Sequence, residues 1–460
     1  MRKCFKLLFV IGLSFALLGI ATFAESIKLT VTSRAVRGGV NTLLVQWLED
    51  VVFPAFENWM KEQGKDVVVE FIEFGGTDEA LKEQYALDLK VGRGADILGF
   101  DGFWIPEFDA AGLVKPLDEI VGPSIWEWEG WKHIPPSMRE ILGYQGKVYG
   151  LPLGTDVRVI FYRRDIFEKA GIIPAGSGLR WQPRSWEELL DTARYLKESL
   201  PGVIPLQINA GTQMGEATTM QGWFMVLLGT GIHMYDFYSG KWYAKHPGIL
   251  EALNFYKTVY IDEKLGDART QLIPGARART FELFRDGKIA MLVEGDWFWR
   301  SVLAPGSEWG LPNRNEVVDW AMMPAEEPGA GYRGQNFVTI SGGTGFILNP
   351  NTKHPAEAWA LMGFAFSREM QLEFQKLQPR IRARDDVPVI GDPVMSEMAK
   401  ALLRLTTVRP MLPGYPKISY EAQLMTERVV AGLMTPEEAM EAYAEALKEI
   451  VGEESLIIVE

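Results

Sequence analysis

Residues 27–32, Ile-Lys-Leu-Thr-Val-Thr, alternate apolar and polar side chains, the two-residue period of a half-buried strand. A polar loop over 33–39 follows. Beyond it a long helix is predicted, carrying Trp47, Val51, Phe56 and Trp59. The stretches 67–71 and 95–100 read as further strands, with a helix over 78–90 between them. Strands alternating with helices predict a largely parallel sheet covered by helices. In such a sheet ligands gather at the carboxyl ends of strands, where the loops open. Two loops qualify here, one with Arg34 and Arg37, the other spanning 101–104.

Residues 157–162 are too β-branched and aromatic for a comfortable helix and read as a buried strand. Just before them, Gly154-Thr155-Asp156-Val157-Arg158 breaks the apolar run with a glycine and two charges. An ion pair bridging strands is one reading, and a ligand-facing crossover between lobes is the other. Helix starts are marked by side-chain acceptors with a glutamate three residues on: Asp165/Glu168, Ser185/Glu188 and Thr435/Glu438. The first of these helices stops at Gly171, the second before Pro201. The third has Pro436 at its first position and ends near Gly452. Residues 353–367 are also helical in pattern, and 281–291 pass from a helix ending at Gly287 into a strand.

The stretch 146–172, GKVYGLPLGTDVRVIFYRRDIFEKAGI, resembles a signature of the bacterial extracellular solute-binding proteins of family 1, a sugar-binding, maltose-binding-protein-like group. Further resemblances run along the chain. Residues 94–120 contain Gly112 to Leu117 in the pattern Gly-Leu-x-x-Pro-Leu, and Ser185 to Leu189 match Thr/Ser-Trp-x-Glu-Leu. Residues 284–297 match Phe-x-x-Gly-Lys-x-Ala-Met-x-x-x-Gly-x-Trp at every fixed position. Residues 335–345, QNFVTISGGTG, and 378–386, QPRIRARDD, resemble two further crossovers, the latter departing from Pro-x-Arg by carrying Arg380, Arg382 and Arg384.

The resemblance implies an α/β, two-lobed periplasmic-binding-protein fold of type II-like form. Three crossovers join its lobes, and the ligand cleft lies between them. The lobes would be 25–155 with 341–381, and 157–339 with 383–460. Closure of the lobes on a mono- or oligosaccharide would present it to the permease of an ABC importer. Trp297 would be the stacking ring, with Glu294 and Asp296 nearby as hydroxyl acceptors. Phe100, Asp101 and Trp104 would face sugar from the first lobe, and Gln221 and Trp223 from the second. Asp156, Arg158, Gly342, Gly343 and Arg382 would contribute from the crossovers, Arg34 from the first polar loop, and Tyr415 from the loop 413–416. Aromatic faces cover sugar C–H faces, while carboxylates and guanidiniums address the hydroxyls.

Composition narrows the alternatives. Arg2, Lys3 and Lys6 precede an apolar run over 7–23 that ends in small residues, so 1–24 reads as a secretory signal cleaved before Glu25. An uncleaved membrane anchor is the competing reading. The one cysteine, Cys4, lies ahead of that run, which argues against a lipoprotein and leaves no disulfide in the mature chain. The net charge of −13, more negative once the signal's cations are gone, repels nucleic acid. The four histidines show no metal-ligand spacing, and no nucleophile elbow or phosphate loop is present. No cofactor, metal or catalytic residue is therefore expected, and the chain is expected to act as a monomer. Two other classes stay open: a secreted glycosidase or polysaccharide lyase, whose paired carboxylates leave no sequence signature, and a binder of an anionic solute such as a uronate oligomer or glycerophosphate.

Overall fold

The computed structural model describes residues 26–459. The signal and its cleavage site lie outside them. Along the first part of the chain come β1 (Ile27–Ser33), the helix α1 (42–62), β2 (Val67–Glu73), α2 (Asp78–Lys90), β3 (Ile97–Asp101) and β4 (Gly150–Pro152). The helix α1 is continuous but takes a π-turn over Leu48–Val52. β1 pairs in parallel with both β2 and β3, as the alternating pattern predicts.

A second group begins with β5 (Arg158–Arg163) and α3 (Arg164–Lys169), then α4 (Trp186–Ser199), β6 (Ile204–Gln207), α5 (Pro247–Lys257), α6 (Ala276–Arg285), β7 (Ile289–Gly295) and β8 (Val318–Ala321). The chain then returns through β9 (Ile340–Ser341) to β10 (Thr344–Leu348), α7 (Pro355–Ala365) and α8 (Arg368–Leu377). β11 (Thr407–Val408) and the long helices α9 (Tyr415–Val430) and α10 (Pro436–Val451) follow, before a short strand at Leu456–Ile458.

Two main sheets result. One has the order β2–β1–β3–β10–β4, the other β8–β5–β7–β6. Each sheet mixes parallel and antiparallel pairs, because β10 runs against β3 and β4, and β5 runs against β7 and β8. The antiparallel strands are those adjoining the passages between sheets, where the chain arrives from the opposite lobe. Helices cover both sheets. Trp47 of α1 stacks on Phe374 of α8 at 4.5 Å and donates its indole N–H to the Met370 carbonyl at 2.9 Å.

The predicted caps divide. Thr435 and Glu438 form the reciprocal box, at 3.2 and 2.9 Å. Ser185 accepts from the Glu188 amide at 3.3 Å, but the Glu188 carboxylate takes the Arg184 amide instead of closing the box. Asp165 does not cap. It lies inside α3, and its carboxylate accepts from Arg163 at 2.9 and 2.6 Å. A guanidinium two residues away outcompetes the amides Asp165 was expected to serve.

Candidate functional site

The three passages between the sheets run side by side. Gly154, between β4 and β5, pairs with Arg382 in an isolated antiparallel bridge. Its φ is 153°, and a Cβ there would lie 1.9 Å from the Ile381 carbonyl oxygen, so only glycine lets the strands meet. Side chains stitch the first passage to the second. Thr155 donates to the Gly342 carbonyl at 2.9 Å, Ser341 to the Asp156 carbonyl at 2.6 Å, and the Thr339 hydroxyl accepts from the Arg158 amide at 2.8 Å.

On this frame sits a buried ion pair. Asp156 Oδ1 accepts from Arg158 Nη1 and from the Gly342 amide, the latter at 2.8 Å. Burial acts to raise the Asp156 pKa. The Arg158 guanidinium and the Gly342 N–H overcome it and hold the carboxyl below its ordinary range. Arg158 also donates to the Ile340 carbonyl at 2.8 Å and to Gln221 Oε1 at 3.3 Å. Its guanidinium carbon lies 4.9 Å from the ring centre of Trp297, which is partly exposed. Arg277 approaches the same ring at 5.9 Å and pairs with Glu294 at 3.4 Å. Glu294, fully buried, also accepts from Asn209 Nδ2 at 3.2 Å and from the Gly295 amide at 3.1 Å.

Asp296, one residue on, is fully buried as well. Arg300 donates to its Oδ1 at 3.2 Å, while Oδ2 has no hydrogen-bond partner among the described residues. Burial raises its pKa, and Arg300 offsets only part of that. Asn209 Oδ1, Trp223 Nε1 and Arg277 Nε are likewise buried and unpartnered. Native interiors leave few polar atoms unsatisfied. Arg277 and Asp296 flank the partly exposed Trp297, and Asn209 joins them through Glu294, so this is the candidate site for a polar guest, whereas Trp223 lies in the core.

A model of the bacterial extracellular solute-binding proteins matches residues 41–372, well over half the chain. The chain belongs to that family. Among its relatives is a binding protein of Brucella abortus, 27% identical over 352 residues, covering 74% of this chain and 76% of that one. The maltotriose-binding protein of Pyrococcus abyssi is 19% identical over 355 residues, 77% of this chain and 68% of that protein. In fold, an ABC-transporter solute-binding protein of Thermotoga lettingae, solved with α-D-tagatose, superposes with a TM-score of 0.74 at 23% identity, covering 93% of this chain and all of that one. The fold of this solute-binding protein is thus the two-lobed one.

Asp156, Arg158, Gln221, Glu294, Asp296 and Trp297 are brought together in this solute-binding protein. Other expected contacts are placed differently. Phe100 and Trp104 are 1% and 4% exposed and pack edge to face, at 5.2 Å, within a core that includes Tyr85 and Phe108. Trp223, 1% exposed, is sealed in the second lobe, although its π-turn carries Gln221 to Arg158. Tyr415 begins α9 instead of a loop; its ring packs on Phe103 and its hydroxyl donates to Glu216 at 2.6 Å. These four rings fill core, because packing against neighbouring aromatics buries both faces. Arg34 clamps the loop before α2, donating to the Gly76 carbonyl at 2.8 Å and to Asp78 at 3.2 Å. Gly343 packs on Ile141 and the Gly154 carbonyl, a closeness needed by the crossover itself. At Gly342 a Cβ would meet nothing nearer than 3.5 Å, so the amide, and not the missing side chain, does the work.

Asp101 faces the other lobe but is engaged by Arg409, which also pairs with Glu216 at 3.0 Å and lies 3.9 Å from the Phe103 ring centre. Burial pushes Asp101 up to about 6 although Arg409 pulls the other way. Arg409, Arg277 and Arg300 are residues of the candidate site that sequence reasoning missed. Only Arg300 left a signal, its i,i+4 spacing from Asp296. Arg382 bridges to Gly154 through its backbone, and its guanidinium stacks over Phe374 of α8 at 4.1 Å. Among the described residues His133, Asp385 and Asp386 form the one cluster with metal-ligand spacing, and Arg384 already pairs with Asp386 at 2.8 Å.

Proposed function

We propose that the protein is the extracytoplasmic carbohydrate-binding component of an ABC importer. It takes up a sugar or sugar oligomer between its lobes, closes on it and delivers it unchanged to the membrane permease. The observation that supports this most is the set of unpartnered polar atoms around Trp297: Asn209 Oδ1, Arg277 Nε and Asp296 Oδ2. A sugar hydroxyl donates and accepts at once, so one ring of hydroxyls can serve a carbonyl, a guanidinium N–H and a carboxylate together. Trp297 supplies the flat apolar surface that the C–H face of a pyranose needs. Maltotriose and tagatose, named for proteins similar to this one, are of the same chemistry.

The lobes are 25–155 with 341–381, and 157–339 with 383–460, and the hinge is the three-stranded junction at Gly154, Gly342 and Arg382. Ligand drives closure in so far as it binds the closed form more tightly than the open one. The mature chain is a monomer released from its signal at Glu25. No described helix is long and apolar enough to cross a membrane. A panel of neutral sugars tested by calorimetry and thermal shift, with chromatography of the recovered ligand, decides the matter. Saturable binding of intact sugar is expected, weakened about thirtyfold or more by Trp297→Ala. Cleaved sugar would replace the binder with a hydrolase or lyase, and no binding across the panel would end the carbohydrate reading.

A further inference from the structure

At the junction of the crossovers arginines outnumber the carboxylates beside them. Arg158, Arg380 and Arg382 are buried there, and the side chain of Arg300 beside them is 8% exposed. Two carboxylates share the space. Asp156 is taken by Arg158 and Asp296 by Arg300. Arg380 lies in the field of both carboxylates but bonds to neither, and Arg382 has no carboxylate beside it. Arg380 Nε and both Nε and Nη1 of Arg382 have no hydrogen-bond partner among the described residues. The remaining Arg382 nitrogen donates only to the Gln378 carbonyl, at 3.1 Å.

These two arginines are held in place. The side chain of Gln375, fully buried, grips the Arg380 backbone from both sides, accepting from its amide at 2.8 Å and donating to its carbonyl at 2.7 Å. Arg382 is fixed by its bridge to Gly154 and by the Phe374 ring beneath its guanidinium. A buried guanidinium nitrogen without a partner is costly, and Arg300, Arg380 and Arg382 repel one another, offset only in part at Arg380 by Asp156 and Asp296. Burial and that mutual repulsion already weigh on them, pressing Arg380 down to about 10 and Arg382 well below its ordinary value. The guanidinium fork matches two oxygens of a carboxylate or phosphate, which no neutral hydroxyl supplies.

We propose that Arg380 and Arg382 form an oxyanion subsite, so that the natural ligand is an acidic carbohydrate bearing a carboxylate or a phosphate ester. This rests on the carbohydrate reading above and names the class of sugar. Asp296 Oδ2, whose carboxyl lies in the field of Arg380, would take a hydroxyl of the same ligand.

The test uses the full mature chain with four probes: digalacturonate, glucose 6-phosphate, maltose and inorganic phosphate. Calorimetry should give digalacturonate or glucose 6-phosphate at least about tenfold tighter binding than maltose, and which of the two wins separates carboxylate from phosphate. Arg380→Gln should weaken the acidic probe about tenfold or more while leaving any maltose binding within about twofold. Should that variant fail to fold, the wild type's response to inorganic phosphate serves in its place, with thermal stabilisation of about 2 °C or more expected at saturating anion. Tight binding of maltose with none of the anions overturns the subsite and leaves the carbohydrate reading standing. Phosphate stabilisation without any sugar binding supports the subsite and defeats the carbohydrate reading. No response to any probe defeats both.

Discussion

At Gly154 a single missing methyl group keeps the crossovers together. Gly154→Ala would drive a Cβ into the Ile381 carbonyl and strain a φ that side chains rarely adopt. We expect it to lower the unfolding free energy by at least about 3 kcal/mol, measured by urea denaturation. Gly342→Ala is the matched control, expected within about 1 kcal/mol of wild type because its site is open and its φ unexceptional. Both glycines stood out in the sequence, but only coordinates separate a glycine needed for space from one in an open turn. The charged interruption at Asp156 and Arg158 was legible for a physical reason: ionisable groups inside an apolar strand demand partners. The rings of Phe100, Trp104, Trp223 and Tyr415 were not legible in the same way. An aromatic residue satisfies a core and a sugar face with the same surface, so its type alone does not say which it meets.

Elements followed the local pattern where local physics dominates. The Thr435 box at the start of α10 satisfies two orphan amides, so Thr435→Ala should cost about 1 kcal/mol by thermal or chemical denaturation. Asp165 fits the same pattern and does not cap, because Arg163 reaches it first. Between the elements of the second lobe lies a pH-sensitive contact. His233 is buried against Phe224 and Phe237, its Nε2 set against the Val408 carbonyl at 3.1 Å. Burial, aided by Arg333, pushes its pKa down to about 3. The unfolded chain therefore takes up a proton below about 6.5 that the folded chain refuses. Stability is unaffected above that pH and falls as pH drops toward 3, by up to about 1.4 kcal/mol per pH unit. His233→Gln should flatten that slope by about one proton in denaturation curves collected between pH 4 and 7.

For the whole molecule the decisive contact is Arg409, which bridges Asp101 at the end of β3 to Glu216 of the second lobe. Arg409→Met should loosen the lobes, seen as a larger radius of gyration in solution scattering without ligand. An unchanged radius would mean that other contacts hold the lobes together. Asp101, near 6 when the lobes meet, returns toward about 3.9 when they part. Closure should then take up part of a proton near pH 6, and falling pH should favour the closed form. Calorimetry in two buffers of different ionisation enthalpy reads that uptake directly.

While the crossing between two layers was implied only by the resemblance to a family, hydrophobic periodicity and capping residues determined which segments are strands and where helices such as α4 and α10 begin. Those are consequences of neighbours a few positions apart, whose identities the chain itself displays. Gln221 reaches Arg158 across 63 positions, and Glu216 and Asp101 reach Arg409 across 193 and 308, so whether such a charge is balanced depends on which distant residues arrive. Folding brought Asp101 and Glu216 to Arg409 while leaving nitrogens of Arg380 and Arg382 without hydrogen-bond partners among the described residues, because such pairing is set by distances in space and not by order along the chain.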